Sequence, residues 1–83
     1  MRLDKFLKVS RVIKRRSVAN DVCSAGRVMV NGKVSKPSVR LKVGDVVSIA
    51  FGNGIVTFRV LSLEQTVRKE DASGMYEIIE DTL

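Results

Sequence analysis

Two stretches of alternating apolar residues enclose the turn signal Asn53-Gly54. A two-residue loop at that dipeptide predicts a β-hairpin with a fixed register. One face of the hairpin then carries the apolar pairs Phe51–Val56, Ile49–Phe58 and Val47–Val60. The other face carries the small or polar pairs Ala50–Thr57 and Ser48–Arg59. Because one register places every large side chain on the same face, the pattern predicts strands over residues 46–51 and 55–61 with one buried face.

Further strands are predicted ahead of this hairpin. The dipeptide Asn31-Gly32 is the strongest two-residue turn signal, and it predicts a second hairpin between residues 28–30 and 33–35. Pro37 cannot donate a hydrogen bond to a neighbouring strand, so it is expected to end that hairpin. Alternation over residues 39–43 predicts another half-buried strand.

Two short helices are predicted at the start of the chain. The first, over residues 2–10, has an apolar stripe at helical spacing, formed by Leu3, Phe6 and Leu7. Ser17 is a favourable N-cap for a second helix over residues 18–25, and Gly26 stands at its expected end. The core side of this second helix is predicted to hold Val18, Ala19, Val22 and Cys23. The elements together predict an α+β fold, with two short N-terminal helices packed on a small, mostly antiparallel β-sheet.

The chain of 83 residues is long enough for one small domain, since a chain of this size buries about 60% of its unfolded surface. Residues 68–74 are polar and predict a loop, whereas residues 75–80 fit either a short strand or a helical turn. We therefore expect a main domain over residues 1–64, with its core motif in residues 1–50. Residues 65–83 are expected to form an acidic, partly ordered tail.

Charge is distributed very unevenly along the chain. Residues 1–44 hold twelve Lys and Arg against two acids, a balance of +10. Residues 45–83 hold three Lys and Arg against seven acids, a balance of −4. A basic half joined to an acidic half orients a polyanion toward one side of the molecule.

The basic charge is densest between the two predicted helices, at Arg11, Lys14, Arg15 and Arg16. Folding holds these cations close together, which costs free energy unless an anion offsets the repulsion. A solvated charge run is the alternative, but the position inside a domain favours phosphate binding. Ser17 either serves only as the N-cap of the second helix, or it also contacts a phosphate at the N-terminus of that helix. The candidate contacts are Arg2, Lys5, Lys8, Arg11, Lys14, Arg15, Arg16, Ser17, Arg27, Lys33 and Lys36. For Arg27, Lys33 and Lys36, a solvated strand end is an equal alternative.

Other classes of function find little support in the composition. The chain has no histidine, and ion pairing or capping accounts for Asp4 and Asp21, so we expect no catalytic, metal or cofactor site. Cys23 is expected to be a small buried hydrophobe, and a chain without disulfides suits the cytoplasm. No signal peptide or membrane-length apolar run is evident, and a membrane-surface module or non-specific DNA binder has weaker support. The Phe residues fit a core better than a stacking platform, which favours structured RNA.

Several motifs together resemble a known family. They are Arg2-Leu3-Asp4-Lys5-Phe6-Leu7, Arg15-Arg16-Ser17, Gly26-Arg27-Val28, Val30-Asn31-Gly32, Ser35-Lys36-Pro37 and Val43-Gly44-Asp45-Val46-Val47. In order and spacing they are similar to the RNA-binding domain first seen in small-subunit ribosomal protein four, the alpha-L RNA-binding motif. The resemblance covers residues 1 to about 50. Among its free-standing small members, those of the heat-shock protein fifteen type are the most similar.

The resemblance implies a non-catalytic factor that binds a free large ribosomal subunit still carrying a peptidyl-tRNA. It implies contacts to large-subunit rRNA and tRNA, and support for C-terminal tailing of the stalled nascent chain, with a tailing factor as a further partner on the subunit. The family's basic positions map onto Arg2, Lys5, Arg11, Arg15, Arg16 and Lys36, and then onto Lys8, Lys14 and Lys33. Ribosome assembly or recycling and an accessory role beside an RNA-modifying enzyme are the alternatives. A monomer is expected. The longer members carry a basic C-terminal extension, whereas the C-terminal residues of this chain are acidic.

Overall fold

The computed structural model describes residues 1–81, and the expectations for Thr82 and Leu83 lie outside it. In chain order the elements are α1 (Leu3–Val9), α2 (Arg16–Ser24), β1 (Val28–Val30), β2 (Lys33–Val34), β3 (Val46–Phe51), β4 (Gly54–Val60), a 3-10 helix (Lys69–Met75) and β5 (Tyr76–Asp81). The strands form one sheet in the order β2-β1-β3-β4-β5, and every neighbouring pair is antiparallel. The predicted α+β class, with two N-terminal helices and a small antiparallel sheet, is confirmed.

The β3–β4 hairpin has the predicted faces but not the predicted register. Val47 pairs with Phe58 and Ile49 with Val56, so each residue of β3 meets a partner two positions earlier than expected. The turn lies at Gly52-Asn53, one residue earlier than predicted, so that Phe51 faces Gly54. Because a slip of two residues returns every side chain to the same face, the apolar alternation is equally satisfied by both registers.

The β1–β2 hairpin is confirmed at the predicted turn. Asn31 and Gly32 have φ angles of 51° and 83°, the left-handed pair that a type I′ turn requires. The Asn31 side chain also joins this turn to β3, since its Oδ1 accepts the Val46 N–H at 2.9 Å and its Nδ2 donates to Asp45 at 3.1 Å. The turn residue therefore sets both the hairpin and its attachment to the sheet.

Helix α2 ends as predicted but begins earlier. Gly26 has a φ of 76°, and the N–H groups of Gly26 and Arg27 return to the carbonyls of Cys23 and Val22, the hydrogen-bond pattern of a Schellman cap. The prediction that Ser17 caps the helix is wrong, because Arg15 holds the N-cap position and no side chain caps it. This earlier start places Ser17 inside the first turn.

One residue assigned to the core side of α2 is also misplaced. Val18 is 43% exposed, whereas Ala19 and Cys23 are buried. Val22 is half-buried and packs against the core. The buried stripe of the helix is therefore narrower than its apolar residues suggested.

The predicted strand over residues 39–43 is wrong. The carbonyl of Val39 accepts the Leu3 N–H at 2.8 Å, and the Leu41 N–H donates to the Met1 carbonyl at 2.9 Å. Arg40 forms only an isolated antiparallel bridge with Arg2. Since its backbone groups bind the chain start and the first turn of α1, this segment is not available to pair with a strand of the sheet.

Aromatic side chains join the helices to the far side of the sheet. Phe6 of α1 stacks on Phe58 of β4 with ring centroids 6.0 Å apart, and both are fully buried. Tyr76 of β5 meets Phe58 edge-on at 5.4 Å. Phe51, also expected in the core, is half-buried at its edge. The core therefore runs from α1 through β4 to β5.

The C-terminal segment is built into this core. A 3-10 helix replaces the loop predicted over residues 68–74, and β5 resolves the alternative between strand and helical turn in favour of the strand. Ala72 and Met75 are each 2% exposed, and the Leu61 N–H donates to the Met75 carbonyl at 2.8 Å. The boundary of the main domain at residue 64 stays a prediction. Within residues 1–81, every helix is too short or too polar to cross a bilayer.

We expect Met75→Ala to lower the free energy of unfolding by about 2–4 kcal/mol, because it removes a buried side chain and leaves a cavity. Met29→Ala is the matched control, since Met29 is 36% exposed on β1. Its expected cost is below about 1 kcal/mol. Urea titrations of both variants measure the difference. Equal midpoints would contradict the placement of the C-terminal segment in the core.

Candidate nucleic-acid interface

Asp4 is the centre of a polar cluster between α1 and α2. Arg2 donates to it twice, from Nε to Oδ1 and from Nη2 to Oδ2, each at 3.2 Å. Arg16 Nη2 lies 3.4 Å from Oδ1, and Asn20 Nδ2 lies 3.5 Å from Oδ2. The backbone N–H of Lys5 donates to Oδ1 at 2.8 Å. One carboxylate therefore fixes two guanidinium groups beside each other.

The local structure explains this convergence. Arg2 precedes the first turn of α1, which holds Asp4, while Arg16 and Asn20 are four residues apart and share one face of α2. The Asp4 side chain is only 4% exposed, whereas those of Arg2 and Arg16 are 42% and 48% exposed. Each guanidinium carries five N–H donors in a planar fork, so donors remain for a second, anionic partner outside the protein.

The ionisation of Asp4 follows from its surroundings. Burial disfavours the carboxylate and raises its pKa, but hydrogen bonds from Arg2, Asn20 and Arg16 and the positive charge of Arg16 outweigh that effect. The net result is a pKa below the ordinary value of an aspartate. Asp4 is therefore charged at neutral pH and holds both arginines as ion pairs.

A groove beside the cluster brings Lys36 close to Arg2. It has a volume of about 580 Å³ and lies between the end of α2 and the segment that follows β2, with Ser24 and Pro37 also on its walls. The Asp4 N–H donates to the Pro37 carbonyl at 3.1 Å, which fixes this segment against the first turn of α1. Arg2 therefore lines a groove with Lys36 and shares the Asp4 carboxylate with Arg16.

A second group of cations lies at the other end of α1. Lys8, Arg11 and Lys14 line a common groove. Arg11 has a φ of 62°, a left-handed conformation that ends the helix and that glycine would adopt with less strain. Its N–H returns to the Lys8 carbonyl at 3.1 Å, and the buried Ile13 anchors the next turn through its N–H bond to the Leu7 carbonyl. The link between the helices is therefore an ordered loop.

The remaining predicted contacts are more dispersed, and all of them are exposed except the half-buried Lys5. Arg15 immediately precedes α2, and Ser17 lies in its first turn. Arg27 precedes β1, and Lys33 opens β2. With Lys5 on α1, all eleven predicted residues lie within residues 1–36, and their assignment to an RNA contact stays a prediction.

Two polar partners were missed from the sequence. Asn20 binds Asp4, and its only sequence signal is the four-residue spacing from Arg16. Gln65 accepts a hydrogen bond from the Lys5 ammonium, across 60 positions of the chain. No local pattern predicts the second contact, because it depends on how the C-terminal segment folds back.

One thiol lies next to this surface. Cys23 is buried, and burial together with the negative charge of Asp4 raises the pKa of its thiol to about 11. A thiol with that pKa is protonated and unreactive at neutral pH. Within residues 1–81, no three His, Cys, Asp or Glu side chains are grouped to hold a metal ion.

Comparison with known proteins identifies related chains. The model of the S4 domain family matches residues 1–47. The RQC P-site tRNA stabilizing factor of Streptococcus pneumoniae is 56% identical over 82 residues, covering 99% of this chain and 93% of that protein. The protein of the same name from Bacillus subtilis is 48% identical over 81 residues, covering 98% and 94%.

A solved structure has the same fold over nearly the whole chain. Heat Shock Protein 15 of Vibrio cholerae superposes with a TM-score of 0.89 at 28% identity, covering 99% of this chain and 84% of that one. That structure is described as trimeric. The expectation of a monomer for the present chain stays a prediction.

We expect Asp4→Asn to lower the free energy of unfolding by about 2 kcal/mol at pH 7, because it removes charged hydrogen bonds. Since the pKa of Asp4 is lower in the folded chain, its contribution is present above the unfolded pKa of about 3.9 and is lost as pH falls through the folded value. The difference between parent and variant should therefore shrink as pH falls from 6 to below 3.

The matched control is Asp21→Asn, the same chemical change at an exposed position of α2. We expect it to alter the free energy of unfolding by less than about 0.5 kcal/mol at pH 7. Denaturant titrations at several pH values compare the two variants. A constant difference between Asp4→Asn and the parent across that range would contradict the ionised Asp4.

Proposed function

Because the chain belongs to the S4 domain family, in the group of the RQC P-site tRNA stabilizing factors, we propose that it is a non-catalytic factor of ribosome-associated quality control. In this proposal it binds rRNA and tRNA on a large ribosomal subunit obstructed by peptidyl-tRNA. It thereby supports C-terminal tailing of the stalled nascent chain, acting in the cytoplasm and as a monomer.

The observation that carries the proposal is the pair of arginines held by Asp4. Both arginines lie in the residues that match the family model, and both present half-exposed guanidinium groups. A phosphate accepts parallel hydrogen bonds from such a fork, with a geometry that a lysine cannot supply. The buried carboxylate orients the donors before any ligand arrives, which reduces the side-chain ordering that binding would otherwise require.

The shape of the interface favours folded RNA. Helices α1 and α2 have 7 and 9 residues, and the cations are presented at their ends and in the loop between them. Double-stranded RNA hides its base edges in a deep, narrow groove, so proteins recognise its shape, phosphates and 2′-hydroxyls. Phe6 and Phe58 are fully buried and are not available to stack on unpaired bases.

The direct test is sedimentation of the purified protein with small subunits, with large subunits, and with large subunits that carry peptidyl-tRNA. We expect selective co-migration with the last, because that particle alone presents rRNA and tRNA together. Equal binding to all three, lost at moderate salt, would contradict the quality-control role and leave a generic binder of structured RNA.

We expect Arg16→Ala to weaken binding to these obstructed subunits about tenfold and to lower the slope of log K against log salt by about 1, since one phosphate contact is lost. Stability should fall by less than about 1 kcal/mol, because the Arg16 side chain is 48% exposed. Arg59→Ala is the matched control, since Arg59 is 46% exposed and pairs with Glu77 at 3.6 Å on the sheet. If both variants lose affinity equally, the loss reflects net charge and not this interface.

We expect Arg11→Gly to separate binding from stability. Glycine relieves the left-handed conformation at position 11, so the free energy of unfolding should stay equal or rise by up to about 1 kcal/mol. Binding to the obstructed subunit should nevertheless weaken, because the Arg11 cation is removed. Thermal unfolding and sedimentation measure the two effects. A variant that binds like the parent would remove Arg11 from the interface.

A further inference from the structure

The C-terminal segment contributes to the second group of cations. Lys8, Arg11 and Lys14 line their groove together with Gln65, Thr66 and Val67. Arg11 and Lys14 also line a second groove, with Lys69, Ser73 and Tyr76 on its other walls. Because they share Arg11 and Lys14, the two grooves adjoin. They are called here the paired grooves, and their lining holds four cations and no acid.

The acids in and beside this segment, Glu64, Glu70 and Asp71, line neither of the paired grooves. Glu64 and Asp71 line a separate groove with Ser62 and Gly74. Although residues 45–83 carry a net negative charge, the part that faces α1 therefore adds one cation and several neutral hydrogen-bonding groups. The tail is acidic in composition, but the side chains that it places next to the basic half are neutral or basic.

The segment is held in place rather than merely lying nearby. Gln65 accepts a hydrogen bond from Lys5 of α1. Val67 packs against the core, and Ala72, within the 3-10 helix, is 2% exposed. These contacts hold the backbone between them beside the grooves that Arg11 and Lys14 line.

We propose that residues 65–73 complete a binding surface for the phosphodiester backbone of RNA in the paired grooves. Arg11, Lys14 and Lys69 would meet the phosphates, and the Thr66 hydroxyl would donate to a phosphate oxygen or pair with a ribose hydroxyl. The inference rests on the proposed function and deepens it, since it adds contacts from outside the residues 1–47 that match the family model.

The geometry favours a backbone ligand over a base or a small molecule. The first groove has a volume of about 170 Å³ and the second of about 400 Å³, and cations line both, unlike the mainly hydrophobic walls of a small-molecule pocket. Tyr76, the aromatic residue of the second groove, is half-buried and packs edge-on against Phe58. Cations beside neutral donors match phosphates and sugars, and the one aromatic side chain in the lining is already in contact with Phe58.

The test compares neighbouring cations. Lys69→Gln removes a charge from the paired grooves, whereas Arg68→Gln removes one from the adjacent residue, which is exposed and lines neither groove. Binding is measured against salt for large subunits carrying peptidyl-tRNA and for protein-free rRNA and tRNA. We expect Lys69→Gln to weaken both about three- to tenfold and to lower the salt slope by about 0.7–0.9. Arg68→Gln should change affinity less than twofold.

A second variant separates hydrogen bonding from charge. Thr66→Val removes the hydroxyl and keeps a branched side chain, so we expect a loss of about two- to fivefold in affinity, consistent with one net hydrogen bond. The salt slope should not change, because no charge is lost. Circular dichroism of each variant checks that the fold is intact.

Three results would overturn the proposal, and each differs from a failure of the proposed function. The first is that Lys69→Gln binds as tightly as Arg68→Gln, while Arg16→Ala still binds with lowered affinity. The quality-control role would then stand without these grooves. The second is a Thr66→Val variant that binds like the parent. The third is a loss confined to whole subunits with protein-free RNA unaffected, which would assign the grooves to an acidic protein partner.

Discussion

The ion pairs of Asp4 connect the parts of the basic half. Burying a carboxylate is unfavourable unless charged partners and hydrogen bonds surround it, and here the partners come from the start of the chain and from α2. The backbone of the same residue binds Pro37, so the first turn of α1 also fixes the segment after β2. Two arginines and one carboxylate leave a net charge of one at this point. The Asp4 carboxylate thus neutralises part of the arginine charge, and it fixes the orientation of the guanidinium donors.

Local chemistry made some elements predictable. Asn31 and Gly32 tolerate the left-handed angles that a tight hairpin requires, and the spacing of Leu3, Phe6 and Leu7 gives α1 one buried stripe. The inward faces of β3 and β4 followed from alternation. Their register did not, because glycine stands on both sides of Asn53 and either turn buries the same side chains.

The strand wrongly predicted over residues 39–43 has a different physical origin. Its local pattern is satisfactory, but its backbone groups bind distant partners. The segment over residues 39–43 alternates like a strand, yet it donates to and accepts from the chain start. The cations of the interface were identifiable from composition, whereas their arrangement around Asp4 and beside Gln65 depends on tertiary contacts. For that reason the sequence predicted the sign of the surface and not its geometry.

The same tertiary contacts explain why an acidic chain end is compatible with an RNA-binding surface. The strand β5 carries Glu77 and Glu80 at the edge of the sheet, and Glu77 pairs there with Arg59 of β4. The segment before it places its neutral and basic residues against α1. The fold thus separates acidic side chains from neutral and basic ones residue by residue. The charge balance of the two halves of the chain does not show this separation.

The aromatic contact chain Phe6–Phe58–Tyr76 has a consequence for motion. It packs α1, which carries part of the basic surface, against β4 and the edge strand β5 in one continuous core. Elements joined in this way open together, so their backbone amides exchange hydrogen with solvent through a shared opening and not independently. We therefore expect a ligand held by the basic surface to slow exchange in β5 as well, although that strand lies on the other side of the core.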